Sequence, residues 1–184
     1  EVTHPDELYS DVAVYLDQSK HLTNGNPSTV ASWLDALDLS EGKSVFHLGC
    51  GMGYYTAVMA EMVGRDGRVI AAEIEPFLAN QARANLDRYP NVEIVNGDGS
   101  ELDVGACDAI LINAGATHPT AHWLNSLSAG GILIVPMTIE FGMPNIGKGL
   151  VLRVRKTASS YQAQFLPTPL MIYSCASVRS AEIG

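Results

Sequence analysis

The residues of this chain best suited to hold a ligand stand directly after short apolar runs. Three alternating glycines, Gly49, Gly51 and Gly53, follow the first run. Glu73 ends the second run, and Asp98 stands between two glycines after the third. Glycine lets the backbone turn tightly and approach a ligand closely, and an acidic side chain can accept hydrogen bonds from ribose hydroxyls. Because an aspartate can also accept from the exocyclic amine of adenine, the pattern predicts a pocket for an adenosine without a long phosphate chain.

Each of these features also has a purely structural interpretation. The glycines could serve only a tight turn, and Asp98 could form an Asx turn. The spacing G-x-G-x-G also differs from the dinucleotide fingerprint G-x-G-x-x-G, because Tyr54 stands where the third glycine is required. An NAD-dependent oxidoreductase is therefore disfavoured, and the sequence offers no pair of residues suited to hydride transfer.

Few residues near such a pocket could act as a general base. His118 follows the fourth apolar run and is the best candidate for a base or a substrate-orienting residue. Its alternative is an exposed loop histidine. Asn113 ends the same run and could contact a substrate through its amide. His122 and Trp123 stand at helical spacing and are expected to pack.

Composition excludes several classes of protein. With 184 residues, 47% hydrophobic residues and 17% charged residues, the chain is expected to fold as a globular domain. A net charge of −9 without a basic stripe argues against a nucleic-acid partner, and the apolar runs are too short to cross a membrane. The three cysteines, Cys50, Cys107 and Cys175, are far apart. No metal site or disulfide framework is predicted, and a reducing compartment, the cytoplasm, is expected.

The elements that would position these residues alternate between strand and helix. Such alternation predicts a doubly wound, Rossmann-like α/β fold whose mostly parallel sheet is covered on both faces. Two final strands without an intervening helix predict an antiparallel hairpin at the sheet edge. The predicted strands cover residues 44–48, 68–74, 92–95, 108–113, 131–137, 149–156 and 161–175, and the predicted helices cover 54–63, 76–89 and 119–127.

The chain is predicted to divide into an N-terminal segment, residues 1–27, and a single domain, residues 28–184. The segment is polar and irregular and is expected to be a shortened cap. Ser28 is expected to cap the first helix, whose apolar positions follow helical spacing. Residues 138–149 are rich in glycine and proline, and this composition predicts a mobile flap.

The continuous run from residue 22 to 138 resembles the S-adenosylmethionine-dependent methyltransferases, and more narrowly the protein-L-isoaspartate O-methyltransferase group. The resemblance rests on "SVFHLGCGMGYYTAVMAEMVG", "GRVIAAEIEPFLANQARANL", "NVEIVNGDGS", "CDAILINAGA" and "LSAGGILIVPM". The tyrosine after the third glycine, "NGDG" and "GGILIVPM" are more specific to this group than the glycines alone. The segment "TNGNPS" stands where the group carries a T-x-S-x-P segment that lines its active site.

The resemblance implies a class I methyltransferase sheet, S-adenosylmethionine as cofactor and S-adenosylhomocysteine as product. It also implies a set of cofactor contacts. The glycines would border the methionine part, and Ser28 would approach the amino-acid end of the cofactor from the opposite side. Glu73 would hold the ribose, Ile74 would lie beside the adenine, and Asp98 and Gly99 would hold the adenine edge.

Two residues depart from the pattern of the group. His47 replaces the acidic residue that commonly precedes "LG"; it could make one hydrogen bond to the cofactor or could be a satisfied core histidine, which is favoured. Gly25 replaces the serine two residues before the proline, so that hydroxyl is absent near the substrate carboxylate. Thr23, Asn24 or Asn26 could take its place, and the sequence does not decide among them.

The resemblance implies methyl transfer to a carboxylate, on an isoaspartyl residue of a peptide or protein or on a related acceptor. An ionised carboxylate is already a nucleophile, so it needs no general base. Gly25 leaves open a small-molecule O- or N-methyltransferase on the same fold, with His118 as base. The other alternative is a non-catalytic S-adenosylmethionine-binding module that serves as a partner subunit.

Overall fold

A seven-stranded sheet lies at the centre of the molecule. The computed structural model describes residues 10–20, 22–175 and 177–180. The strands are β1 Tyr15–Asp17, β2 Leu22–Thr23, β3 Ser44–Leu48, β4 Arg68–Glu73, β5 Val92–Asn96, β6 Cys107–Ile112, β7 Leu127–Glu140, β8 Ile146–Lys156 and β9 Tyr161–Tyr173. The helices are α1 Pro27–Ala36, α2 Tyr54–Val63, α3 Pro76–Asn85 and α4 Ala121–Ser126.

The order of the strands creates a ligand-binding crevice beside β3. The sheet runs β5-β4-β3-β6-β7-β8-β9, and the strands from β5 to β7 pair in parallel. The chain moves outward from β3 to β5 and then returns to place β6 on the other side of β3. Open α/β sheets bind ligands at this kind of reversal, beyond the carboxyl ends of the strands. The predicted doubly wound fold is confirmed.

The last three strands form the antiparallel part of the sheet. β8 pairs antiparallel with both β7 and β9, and β9 is the edge strand. The predicted C-terminal hairpin is therefore confirmed. The predicted flap is wrong for most of its length, because β7 runs to Glu140 and β8 begins at Ile146, so that Thr138 pairs with Gly149. Only residues 141–145 connect the two strands.

Both faces of the inner parallel strands β3, β4 and β6 are buried, which explains their nearly continuous apolar sequences. On one face, Phe46 packs in a cluster with Ile110 and with Trp123 of α4. On the other face, Val45 packs in a cluster with Trp33 of α1 and Met59 of α2. Each fully buried side chain of this size contributes about 1.5–3 kcal/mol to folding. This two-sided packing holds the carboxyl ends of the strands in fixed positions around the crevice.

Capping residues set the beginnings of the two helices that border the crevice. Gly53 caps α2 with φ of 91° and Gly64 ends it with φ of 66°, and the predicted bounds of this helix are confirmed. The prediction for α1 is wrong by two residues, because Asn26 is the cap and accepts a hydrogen bond from the Thr29 N–H. Pro27 suits the first helical position since it needs no backbone donor there.

The described part of the N-terminal segment is more ordered than its polar sequence predicts. β1 and β2 form a small antiparallel sheet. Lys20 Nζ lies 2.6 Å from Glu75 Oε2, which ties this small sheet to the start of α3. Residues 1–9 and 21 lie outside the described residues, and the boundary between residues 27 and 28 stays a prediction. Over the described ranges, no helix is long and apolar enough to cross a membrane.

Candidate active site

A cavity of about 520 Å³ opens at the carboxyl ends of β3, β4 and β6. This volume lies within the range of small-molecule sites. Further walls come from the segment after β5, the β1–β2 sheet, the start of α1, the β7–β8 connection, the end of β9 and the residues that follow β9. The cavity thus occupies the crevice predicted from the strand order.

The glycine loop forms one wall of the cavity through Gly49 and Gly51. Both have positive φ, 78° and 56°. A Cβ atom on Gly49 would lie 3.1 Å from the carbonyl oxygen of Asn113, and one on Gly51 would lie 2.9 Å from Leu16 Cδ1. Gly53 does not line the cavity; a Cβ there would lie 2.6 Å from Leu86 Cδ1, so this glycine serves the start of α2 and its packing.

Glu73 connects the glycine loop to the end of β4. The residue is only 6% exposed and lines the cavity. Its carboxylate accepts hydrogen bonds from the backbone N–H groups of Gly51 at 2.8 Å and Glu75 at 3.0 Å. Each carboxylate oxygen can accept more than one hydrogen bond. Glu73 can therefore brace the loop and still accept from a ligand.

The segment after β5 brings Asp98 and Gly99 to the same cavity. Asp98 Oδ1 accepts from the Ser100 N–H at 2.9 Å, which is an Asx-type turn, and from the Ser177 hydroxyl at 3.1 Å. A Cβ on Gly99 would lie 2.8 Å from Ala72 Cβ, so the backbone can approach β4 this closely only at a glycine. Ile74 also lines the cavity and is 58% exposed.

The two candidate catalytic residues after β6 lie in different places. Asn113 lines the cavity, and its Nδ2 donates to the Gly49 carbonyl at 3.3 Å. His118 is exposed and lies outside the cavity lining, with Nδ1 at 3.0 Å from Thr117 Oγ1. The arrangement of His118 favours the exposed loop histidine over a base at the cavity.

The hydrogen bonds in the loop before α1 distinguish among Thr23, Asn24 and Asn26, the three residues that could replace the serine hydroxyl implied by the resemblance. Asn24 Oδ1 accepts from the Val14 N–H at 2.7 Å, and the Asn26 side chain caps α1 and donates to the Asp11 carbonyl. Thr23 lines the cavity and its Oγ1 accepts from the Gly25 N–H at 3.3 Å, so its hydroxyl hydrogen is available for another acceptor. Of the three, Thr23 is best placed to donate to a substrate.

Ser28 and His47 do not line the cavity. The Ser28 hydroxyl donates to Asp11 Oδ2 at 2.7 Å, and Ser28 also donates its backbone N–H to Asp11. These hydrogen bonds lower the pKa of Asp11. His47 is fully buried, with Nδ1 at 2.9 Å from Thr56 Oγ1, and burial lowers the pKa of His47 to about 3. Its position favours the core interpretation over a cofactor contact.

The cavity has an acidic lining. Among the described residues that line it, the charged side chains are Glu73, Glu75 and Asp98, and there is no lysine, arginine or histidine. Burial raises the pKa of the Cys175 thiol, which also lines the cavity, so this cysteine is protonated and unsuited to act as a nucleophile. The lining favours a cationic ligand and offers no imidazole base to an acceptor.

One protein family matches this chain over most of its length. The family model described as Protein-L-isoaspartate(D-aspartate) O-methyltransferase (PCMT) matches residues 2–158. This chain belongs to that family. A relative from Ignicoccus hospitalis, a protein-L-isoaspartate O-methyltransferase, is 36% identical over 146 residues, which cover 75% of this chain and 68% of the relative.

Two solved structures of the same family share the fold. A protein-L-isoaspartate O-methyltransferase has a TM-score of 0.79 at 24% identity and covers 94% of this chain. A beta-aspartate methyltransferase from Plasmodium falciparum, solved in complex with S-adenosyl-L-homocysteine, has a TM-score of 0.73 at 20% identity over 94% of this chain. The match spans 83% of the Plasmodium chain but only 55% of the first chain.

Sequence reasoning missed the parts of the cavity that come from the two ends of the chain. Leu16 and Leu22 line it from the β1–β2 sheet, and Cys175 and Ser177 line it from beyond β9. Neither stretch carries a glycine motif or a periodic pattern that indicates a ligand. The match to the family model ends at residue 158, before β9 begins.

Gly25, which stands where the resemblance implies a serine, lines the cavity. It has φ of 80°, and a Cβ there would lie 3.0 Å from Val30 Cγ2. A residue with a side chain rarely adopts this conformation. The conformation of Gly25 is therefore one that favours glycine over serine.

Proposed function

We propose that this protein is an S-adenosylmethionine-dependent methyltransferase that transfers a methyl group to a carboxylate, on an isoaspartyl residue of a peptide or protein. One observation carries the proposal: a single ligand-sized cavity brings together the glycine loop, Glu73 and Asp98 at the reversal of strand order. Membership of the PCMT family supports the same activity. The chain spans about two thirds of the Ignicoccus relative, so the activity of the whole relative comes to this chain as a proposal.

The residues around the cavity suit the cofactor. S-adenosylmethionine would supply an electrophilic methyl group on a positively charged sulfur. The acidic lining would favour that positive charge and the ammonium group of the cofactor. We assign the ribose hydroxyls to Glu73, the adenine edge to Asp98 and Gly99, the adenine face to Ile74, and the methionine part to Gly49 and Gly51.

The residues on the other side of the cavity favour a carboxylate acceptor. An alcohol or a protonated amine would usually need a general base, and His118 lies outside the lining. A carboxylate needs only to be held in line with the methyl group. Thr23 is placed to hold it through its hydroxyl, and Asn113 is a second candidate through its amide. This arrangement disfavours the small-molecule alternative with His118 as base.

We place the reaction in the cytoplasm, because the three cysteines are free and buried, as expected of a protein from a reducing compartment. The methyl acceptor would be a polypeptide that carries an isoaspartyl residue, in agreement with the names of the relatives.

The test is calorimetric titration with S-adenosylhomocysteine, followed by methyl release from an isoaspartyl peptide with labelled S-adenosylmethionine. The same peptide with a normal aspartate is the substrate control, and Thr23→Val, which keeps the shape of the side chain, is the matched variant. We expect binding, turnover of the isoaspartyl peptide alone and slower turnover in the variant. Binding without turnover would favour the non-catalytic module, and absence of binding would refute the proposal.

A further inference from the structure

The residues after β9 form a strap along one side of the cavity; we call residues 174, 175 and 177–180 the C-terminal strap. It runs beside the segment that follows β6. The N–H of Cys175 donates to the carbonyl of Gly115 at 2.8 Å, and the N–H of Thr117 donates to the carbonyl of Val178 at 3.1 Å. The hydrogen-bonding resembles an added strand, so the strap has a defined position.

Two side chains of the strap hold it against the sheet. Val178 is only 2% exposed and packs in the same cluster as Trp123 and Phe46. Arg179 donates from Nη1 to Thr138 Oγ1 at 3.0 Å. Val178 is thus anchored in the apolar core and Arg179 is hydrogen-bonded to β7. These two contacts fix the position of the preceding residue beside the cavity.

That residue, Ser177, contacts the candidate adenine site. Its hydroxyl donates to Asp98 Oδ1 at 3.1 Å across 79 positions of sequence, and Cys175 Sγ lies 3.5 Å from the same hydroxyl. Oδ1 also accepts from the Ser100 N–H at 2.9 Å. Two hydrogen bonds thus converge on Oδ1, and Oδ2 receives none from the described residues. The carboxylate is held in one orientation with Oδ2 available.

We propose that Ser177 is a positioning residue for base recognition, which orients Asp98 so that Oδ2 accepts the exocyclic amine of adenine. The inference rests on the proposed function, since it concerns the cofactor of that site. The strap lies beyond residue 158, where the match to the family model ends. Ser177 thereby contributes to the preference for an adenine over a base that lacks the amine.

The alternative is that Ser177 only helps to fasten the strap. These two roles predict different results for a pair of ligands. S-inosyl-L-homocysteine carries an oxygen in place of the exocyclic amine, so it cannot donate to Asp98 from that position. A fastening role affects both ligands equally, whereas an orienting role affects mainly S-adenosylhomocysteine.

The experiment measures the dissociation constants of both ligands for the full chain and three variants, Ser177→Ala, Ser177→Thr and Ser159→Ala. Ser159 is exposed in the turn between β8 and β9 and is the matched control. We expect Ser177→Ala to bind S-adenosylhomocysteine about 3- to 10-fold more weakly, the typical effect of losing one intramolecular hydrogen bond. The preference over the inosyl ligand should fall by the same factor, and Ser177→Thr, which keeps the hydroxyl, should restore it.

Each outcome has one meaning. Equal weakening of both ligands by Ser177→Ala, or an unchanged preference, would overturn the positioning role while the proposed function stands. Failure of the unsubstituted protein to bind S-adenosylhomocysteine would instead refute the proposed function. Thermal unfolding of each variant checks that the strap has not been lost, because loss of Val178 packing would lower the melting temperature.

Discussion

At the scale of single residues, Glu73 has two tasks to perform with one carboxylate. It accepts from the backbone of the glycine loop, and we assign the ribose hydroxyls to its remaining lone pairs. Because it accepts the Gly51 N–H, its loss would loosen the loop as well as remove a ligand contact. Removal of a buried carboxylate with this double role should weaken ligand binding more than removal of an exposed carboxylate.

We therefore expect Glu73→Ala to weaken binding of S-adenosylhomocysteine by about 1–3 kcal/mol, which is typical when polar partners are left unpaired. The control is Glu93→Ala on the neighbouring strand, whose carboxylate is 60% exposed and pairs with Arg68 at 3.3 Å. Calorimetry measures both affinities. If the two variants bind alike, the assignment of Glu73 to the ribose is wrong.

Gly51 provides a second test at this scale, because its role in binding can be separated from its backbone strain. Valine at this position would have to adopt φ of 56° and would place its Cβ 2.9 Å from Leu16 Cδ1, inside the cavity wall. We expect Gly51→Val to abolish binding of S-adenosylhomocysteine. Gly42 has φ of 79°, and a Cβ there would have no atom within 4 Å, so Gly42→Val has similar strain away from the cavity.

Circular dichroism and calorimetry on both valine variants distinguish the two effects. Both variants should lose stability, because both place a valine at positive φ. At low temperature, where both stay folded, Gly42→Val should still bind the ligand and Gly51→Val should not. Normal affinity in a folded Gly51→Val variant would mean that the loop only turns the chain.

At the scale of elements, the sequence predicted best those parts whose causes are local. The bounds of α2 follow from Gly53 and Gly64 on either side, and both glycines are visible in the sequence. The cap of α1 was misplaced because Ser28 and Asn26 are both good capping residues. What decides between them is the contact of Ser28 with Asp11, which depends on the path of the N-terminal segment.

The elements that the sequence did not predict depend on partners far along the chain. β7 extends beyond its apolar run because β8 pairs with it as far as Glu140. The β1–β2 sheet and the C-terminal strap have no periodicity of their own, and they are positioned by contacts such as Lys20 with Glu75. The glycine loop, Glu73 and Asp98 were predictable because the carboxyl ends of parallel strands always meet at one edge.

The loop before α1 yields a prediction at this scale. If the loop conformation requires Gly25, a serine at this position should not speed methyl transfer. We expect Gly25→Ser to lower the free energy of unfolding by about 1–2 kcal/mol, the usual penalty of a left-handed conformation. The rate of methyl transfer should not increase. Gly105→Ser, with φ of 68° and no neighbouring atoms within 4 Å, is the control for strain alone.

Denaturant unfolding and turnover of the isoaspartyl peptide measure the two effects of Gly25→Ser. Higher turnover without a loss of stability would contradict the expectation and show that the loop can adopt a geometry that accepts serine. A larger loss of stability in Gly25→Ser than in Gly105→Ser would show that the added side chain also crowds Val30.

At the scale of the whole molecule, acidity and burial together determine how the protein responds to pH. The net charge of −9 is distributed over the chain, and His47 in β3 is fully buried. Burial of His47 lowers its pKa from 6.5 to about 3 in the folded protein. Between these two values the unfolded chain binds a proton that the folded protein does not, so stability falls as the pH decreases from 6.5.

The contribution of His47 to this decrease amounts to about 1.4 kcal/mol for each pH unit, or about 2 kcal/mol between pH 6.5 and pH 5. His47→Phe keeps a ring in the core and removes the titration, so its free energy of unfolding should depend less on pH over this range. Urea unfolding at pH 7, 6 and 5 measures the slope, with His118→Gln as the control because that ring is exposed. Equal slopes in His47→Phe and the unsubstituted protein would mean that the buried ring gains its proton without unfolding.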